Sequence, residues 1–258
     1  MKLTQIRNAT MKIEYAGKRF LIDPMLAEKS AYPGFAGTLN AHLSNPLVSL
    51  PLDMAQIVDV DAVIVTHTHL DHWDTAAARL LPKEKIVFTQ NKQDAEIIRA
   101  EGFQHVHILS DKTEFAGIIL SKTSGQHGSD EAYADDAIAQ RLGEACGVVF
   151  THPQEKTLYL AGDTVWNHHV DSALSTYRPD VVVLNAGYAQ IDRFGAIIMG
   201  TEDVFQVHKK VPDAVLIATH MEAINHCALT RNALRQFSRE HGFNSCLRVP
   251  EDGESCTL

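Results

Sequence analysis

No stretch of 18 apolar residues occurs in the 258-residue chain, so no transmembrane helix is expected. Cysteine is scarce: Cys146, Cys227, Cys246 and Cys256 are scattered without a C-x-x-C pair. That spacing excludes a zinc knuckle and gives no disulfide framework. The first twenty residues, MKLTQIRNATMKIEYAGKRF, carry charges throughout and lack the apolar segment of a secretory signal. A cytoplasmic location with free thiols is the expectation. Basic residues are in deficit, 23 Lys and Arg against 32 Asp and Glu, for a formal net charge of −9. A surface of that sign repels a phosphate backbone and argues against a general nucleic-acid binder. No P-loop, no dinucleotide-binding glycine turn, no low-complexity segment and no visible repeat is present.

The sequence does have histidine, 14 in all. It also has the 45% hydrophobic and 21% charged composition of a globular protein, and a length that suits one domain over residues 1–258. Residues 3–23 alternate and turn at Ala16-Gly17, which predicts two or three short strands. Residues 25–52, with Pro33, Gly34, Gly37, Pro46 and Pro51, read as a long loop of the kind that builds a lid or binding wall. Continuous apolar runs predict buried strands over 61–66, 86–89, 181–185 and 214–219. Strands are also expected over 105–109 and 117–123, and a hairpin over 147–151 and 157–161. Asp74 reads as the N-cap of a helix that ends before Pro82. Further helices are predicted over 94–101, from a Thr201 cap to Lys209-Lys210, and from Thr230 to about Gly242, with residues 124–143 partly helical. Each half then offers a sheet with helices, which predicts an α+β fold: a four-layer αββα sandwich.

One segment stands out, Val65-Thr66-His67-Thr68-His69-Leu70-Asp71-His72-Trp73-Asp74, between a buried strand and a capped helix. Alternation places His67 and His69 on one side, and the bend that follows lets Asp71 and His72 face a second point nearby. Imidazole and carboxylate suit Zn²⁺ and related ions. A single histidine there would be unremarked polar loop; four ligands at H-x-H-x-D-H spacing point to metal.

This motif resembles that of the metallo-β-lactamase fold superfamily, and the resemblance extends over nearly the whole chain. It implies two metal sites. His67, His69 and a later histidine would hold the first; Asp71, His72 and a last histidine would hold the second; an aspartate after a strand would bridge them. Asp163, in Leu160-Ala161-Gly162-Asp163-Thr164, matches the bridge. His220, directly after the apolar run 214–219, matches the last histidine. For the later histidine, His127, His152 and the pair His168-His169 compete. A hairpin turn puts His152 one strand length, about 17 Å, from Asp163. His127 follows a strand through a glycine turn and is preferred. Asp71 and His226 are the expected catalytic residues, with His226 as a substrate contact or general acid. Glu222 is placed either to orient a ligand imidazole or on the surface.

Within the superfamily, the absence of a cysteine near Asp163, of a flavin domain, of a C-terminal helical extension and of a basic exosite arm disfavours several branches. The segments Phe20-Leu21-Ile22-Asp23-Pro24, Thr123-Ser124-Gly125-Gln126-His127-Gly128, Asn185-Ala186-Gly187 and His220-Met221-Glu222-Ala223-Ile224-Asn225-His226 are similar to the branch containing L-ascorbate-6-phosphate lactonases, within it most to an uncharacterised bacterial subgroup. Asn8 stands where that branch often has histidine. The resemblance implies a hydroxide bridging two divalent metal ions that attacks a small ester, lactone or phosphodiester. Zn²⁺ is preferred, and Mn²⁺ or Fe²⁺ are compatible. An RNA-processing nuclease and a non-catalytic metal sensor are the alternatives. The partner is expected to be a small-molecule substrate, without membrane insertion, and branch members are often homo-oligomers. Tyr32, Phe35, His42, Trp166 and His168 are considered as pocket walls. His105, His107 and His208 are read as structural.

Overall fold

Alternation along the buried strands decides the layering. The structure is a computed structural model and describes residues 1–258. Its first sheet contains β1 (Lys2–Arg7), β2 (Thr10–Tyr15), β3 (Lys18–Ile22), β4 (Ala62–Val65), β5 (Ile86–Thr89), β6 (His105–Ile108) and, at the far edge beside β1, β16 (Ser255–Thr257). The second sheet runs from β7 (Thr113–Phe115) through β8 (Ile118–Ser124), β9 (Cys146–Thr151), β10 (Leu158–Leu160), β11 (Val181–Asn185) and β14 (Val215–Thr219) to β15 (Leu247–Arg248). A small ribbon of β12 (Gln190–Ile191) and β13 (Gly195–Ala196) stands apart.

Successive strand residues point to opposite faces. Ala62 and Ile64 of β4 therefore face the second sheet, where they meet Leu120, Val148, Phe150 and Leu160 in the central core. Val63 and Val65 face outward onto α1 (Met54–Val58), α2 (Thr75–Leu80) and α3 (Lys92–Ala100), in a cluster with Ile57, Ala77 and Ile98. On the other side Val182 and Leu184 of β11 pack beneath α6 (His168–Tyr177), α7 (Thr201–Lys210) and α8 (Arg231–Glu240), against Val170, Val204 and Leu234. The result is the αββα sandwich expected from the sequence. The segment 124–143 forms α4 (Asp130–Tyr133) and α5 (Asp136–Leu142) at one end.

Strand direction gathers the site. β3, β4, β5 and β6 are parallel, as are β10, β11 and β14. β8 is antiparallel to β9, and β9 to β10, so β8 points the same way as β10. The segments that follow β8, β10, β11 and β14 therefore leave one end of the second sheet. There the two sheets meet: Cys146 N donates to Thr66 O (3.3 Å) and His220 N to Asn8 O (3.0 Å).

Two helix starts differ from the sequence reading. Gly200, extended, precedes α7, and its N–H donates to Asp203 Oδ2 (3.0 Å), so Thr201 is the first helical residue and not the cap. α3 begins at Lys92 because Asn91 Oδ1 accepts from Asp94 N (2.9 Å). A cap needs extended backbone, a condition that pattern alone does not resolve. Asp74 and Thr230 do cap α2 and α8.

Candidate metal centre

β4 ends at Val65, and the turn after it carries His67, His69, Asp71 and His72 to the junction of the sheets. His127 arrives from the segment after β8, Asp163 from beyond β10 and His220 from the end of β14. Their ligand atoms form three overlapping groups: His67, His69 and His127; His67, His72 and Asp163; Asp71, His72 and His220. Asp163 Oδ2 lies 3.9 Å from His67 Nε2, 3.6 Å from His127 Nε2, 3.1 Å from His72 Nε2 and 3.7 Å from His220 Nε2. One carboxylate oxygen thus stands between the histidines of both expected sites. Asp71 Oδ2 is 3.2 Å from His220 Nε2 and 3.8 Å from His72 Nε2.

The outward hydrogen bonds fix which ring nitrogen faces inward. His127 Nδ1 donates to Ile197 O (2.8 Å) and His69 Nε2 to Arg141 O (3.0 Å), both carbonyls that only accept. His72 Nδ1 donates to Asp23 Oδ2 (2.9 Å). Thr66 Oγ1 gives its proton to Asp23 Oδ2 (2.8 Å) and so accepts from His67 Nδ1 (3.2 Å). His67 Nε2 and His69 Nδ1 then face one another at 3.0 Å with lone pairs opposed, and nothing in the chain lies between to satisfy both. His72 Nε2 and His220 Nε2 are 3.2 Å apart. A cation relieves the repulsion between His67 and His69, and the nitrogen and carboxylate donors are those a divalent transition ion takes.

Charge follows from the same packing. Burial and the neighbouring imidazoles of His72 and His69 hold His67 well below its ordinary range. Burial likewise takes His127 down to about 4. His72 goes the other way: burial opposes the charge, but Asp163, Asp23 and Asp71 lift it to about 10. His220 is raised by Asp163 and its other partners against burial. Burial disfavours the ionised carboxylates of Asp71 and Asp163, yet His72 and His220 hold both well below the usual range.

Two glycines keep ligands in place. Gly162, before Asp163, has φ of +71°, and a Cβ there would sit 2.2 Å from Cys146 O. At Gly187 a Cβ would sit 1.9 Å from His220 O. A cavity of about 140 Å³ opens over Asp163, lined by Phe35, Leu70, Leu142, Ile191, Ile197 and His226 among others.

The family model described as Beta-lactamase superfamily domain matches residues 18–221. The chain belongs to this family. It is 50% identical over 259 residues to the UPF0173 protein YddR of Bacillus subtilis, with both chains covered in full. A UPF0173 metal-dependent hydrolase of Bacillus cereus is 29% identical over 261 residues, again covering both chains. The solved isothiocyanate hydrolase from Delia radicum gut bacteria superposes with a TM-score of 0.98 at 53% identity, over 100% of this chain and 99% of that one. The chain is accordingly a metal-dependent hydrolase of the metallo-β-lactamase fold. No helix in it is long and apolar enough to cross a membrane.

Within this fold the seven side chains expected to bind metal converge, and His152 does not. It follows β9, which runs opposite to β10, and so lies at the other end of the sheet from Asp163. His168 and His169 open α6 behind their cap Asn167, away from the cavity. Trp166 packs against the core beneath α6 and α7. Of the residues considered as walls, only Phe35 lines the cavity; Tyr32 bonds Thr75 (2.9 Å) and His42 is exposed, while His226, read as a substrate contact or general acid, lines it too. His105 and His107 are exposed.

Glu222 does not orient an imidazole. His220 and Glu222 both have φ of 61°, and the chain swings the carboxylate onto Arg231, with Oε2 2.7 Å from Nη1 and Oε1 accepting from Arg231 N (3.0 Å). The atom beside His220 Nδ1 is Cys227 Sγ at 3.5 Å. Asp23, by contrast, orients His72 and binds Thr66 through its main chain and hydroxyl. It was legible only as the aspartate ending Phe20-Leu21-Ile22. Asn185 donates to Asp163 Oδ1. Asn8 lies beneath the site, its side chain donating to Asp71 O (3.0 Å).

Proposed function

We propose that this hydrolase attacks a small, uncharged substrate at an electrophilic carbon. The supporting observation is the cavity over Asp163. At about 140 Å³ it matches a space that holds roughly one benzene-sized group. Apart from the candidate ligands, its walls are Phe35, Leu70, Leu142, Ile191 and Ile197 with Thr38 and His226, and the only permanently cationic side chain among its lining residues is Arg141. Such a lining favours an apolar group over the charged backbone of a phosphodiester or RNA.

His67, His69 and His127 would hold one divalent ion, Asp71, His72 and His220 a second, and Asp163 would join them. Zn²⁺ is the preferred ion, with Mn²⁺ and Fe²⁺ compatible with the same donors. Two such ions supply hydroxide at neutral pH and stabilise the charge that builds on the substrate. Asp23, Ile197 O and Arg141 O keep the ligand rings turned inward. Asp71 lines the cavity as a carboxylate and would accept a hydrogen bond from the attacking water. His226 lies in the same cavity; burial lowers it to about 4, so at neutral pH it is an uncharged hydrogen-bond partner for the leaving atom.

The relative named isothiocyanate hydrolase makes R–N=C=S the first substrate to test. Water adds at the central carbon, the C–N bond breaks and the nitrogen takes both protons, giving R–NH₂ and carbonyl sulfide from one water. Esters and lactones present a similar electrophilic carbon. Metal-loaded protein is to be assayed with benzyl isothiocyanate, a set of lactones, a model phosphodiester and a precursor tRNA. Chelator-sensitive turnover of the first two classes is expected. Cleavage of only the phosphodiester or RNA, no turnover at full metal occupancy, or no bound metal by elemental analysis overturns the reading.

A further inference from the structure

The segment 25–52 has no helix or named strand before Leu52, yet one buried side chain makes several of the bonds that hold its tip. Asn225, 1% exposed, uses all four hydrogen-bonding positions of its amide. Oδ1 accepts from Phe35 N (3.1 Å) and Asn45 Nδ2 (2.7 Å), and Nδ2 donates to Thr38 Oγ1 (2.9 Å) and Leu39 O (2.7 Å). Its own N–H donates to Asn45 Oδ1 (2.9 Å). The next residue, His226, meets the Phe35 ring edge-on with centroids 5.1 Å apart. Phe35 and Thr38 line the cavity over Asp163. At the base of the segment, buried Arg7 donates to the carbonyls of Met25 (2.8 Å), Ala27 (2.9 Å) and Val48 (2.9 Å).

We propose that Asn225 is a positioning residue that fixes segment 34–45 as a standing wall of the cavity and so sets the size limit on the substrate. Loops with few buried apolar contacts open easily unless their main-chain groups are tied down. Arg141 Nη2 donates to Ala36 O (2.7 Å) and Asp192 N to Gly37 O (3.0 Å), but most of the ties come from one side chain five residues beyond His220, so the wall is referenced to the strand end that carries a metal ligand. Without that amide, Phe35 N and Leu39 O lose their partner, water can replace it, and Phe35 is free to leave His226. The size-limit part rests on the proposed function; the wall-fixing part does not.

The test compares wild type, Asn225→Ala and, as a variant on the opposite side of the network, Asn45→Ala, all metal-loaded. The first readout needs no substrate. Amide hydrogen exchange across residues 34–45 is expected to rise about tenfold or more in either variant, with metal content unchanged. The second uses methyl isothiocyanate and the bulkier 1-naphthylmethyl isothiocyanate. KM for the small probe is expected to rise about tenfold with kcat within about twofold, while the preference for small over bulky falls. Exchange that stays at the wild-type level overturns the proposal. So does faster exchange with an unaltered small-to-bulky ratio, which leaves Asn225 merely structural. If wild type cleaves neither probe, the proposed function fails, and exchange alone decides whether Asn225 fixes the wall.

Discussion

Asn185 Nδ2 donates to Asp163 Oδ1 at 2.6 Å, and this leaves Oδ2 as the oxygen turned toward the four imidazoles. The carboxylate would otherwise rotate about its last bond. Asn185→Ala removes the donor without touching a metal-facing atom. Metal affinity is expected to fall by about 10- to 100-fold, as when other partners of ligand side chains are removed. Competition with a chromophoric chelator measures it, and unchanged affinity would show that Asp163 is oriented by the imidazoles alone.

Asp163→Ala goes further. Its Oδ2 is within 4 Å of nitrogens from both histidine groups, so its loss affects both together. About two ions per chain are expected in the metal-loaded wild type and a joint loss in the variant, read by elemental analysis after dialysis. Retention of one ion at full affinity would mean that the groups are independent.

How far the sequence revealed this centre depended on where each residue lies along the chain. His67, His69, Asp71 and His72 are contiguous, and their spacing carries its own meaning. Asp163 and His220 each follow an apolar run, and parallel strands bring such ends together. His127 was reached by rejecting His152 on strand length, and the reversal of β9 supplies the topological reason. Asp23 and Asn185 escaped a functional reading because what they do depends on residues 49 and 22 positions away. Glu222 was open to misreading because two-residue spacing from His220 suggests proximity only if the chain is extended, and both residues have left-handed backbone. β15 and β16, two and three residues long, are too short to show a period.

Glu222 and Arg231 supply a prediction that separates structure from chemistry. Arg231 Nη2 also contacts Asp252 Oδ1 at 2.5 Å, and its Nε donates to Pro250 O (2.9 Å), tying α8 to the C-terminal segment. Arg231→Ala leaves the partly buried carboxylates without their cation and is expected to destabilise by about 3 kcal/mol. Glu222→Gln is expected to cost less, and neither variant should change metal content. Urea unfolding and elemental analysis check the two halves. Metal loss in Glu222→Gln would restore the ligand-orienting role.

The histidines divide by charge, and that gives the metal-free chain a pH optimum. His127 is lowered from 6.5 to about 4 and His67 well below 6.5, so stability they contribute above pH 6.5 is lost as acid forces protons onto them. His72 is raised to about 10 and His220 well above 6.5, so stability they contribute below pH 6.5 is lost as alkali removes their protons. The carboxylates Asp71 and Asp163, lowered from 3.8, add a further loss in stronger acid. For these groups the maximum lies near pH 6.5. Metal takes the place of the protons on His72 and His220, releasing them on binding. The loaded protein should therefore keep its stability where the metal-free protein loses it, between pH 6.5 and about 10. Urea midpoints at the two pH values, with metal and with chelator, give the comparison. Parallel declines in both states would mean that these histidines do not exchange their protons for an ion.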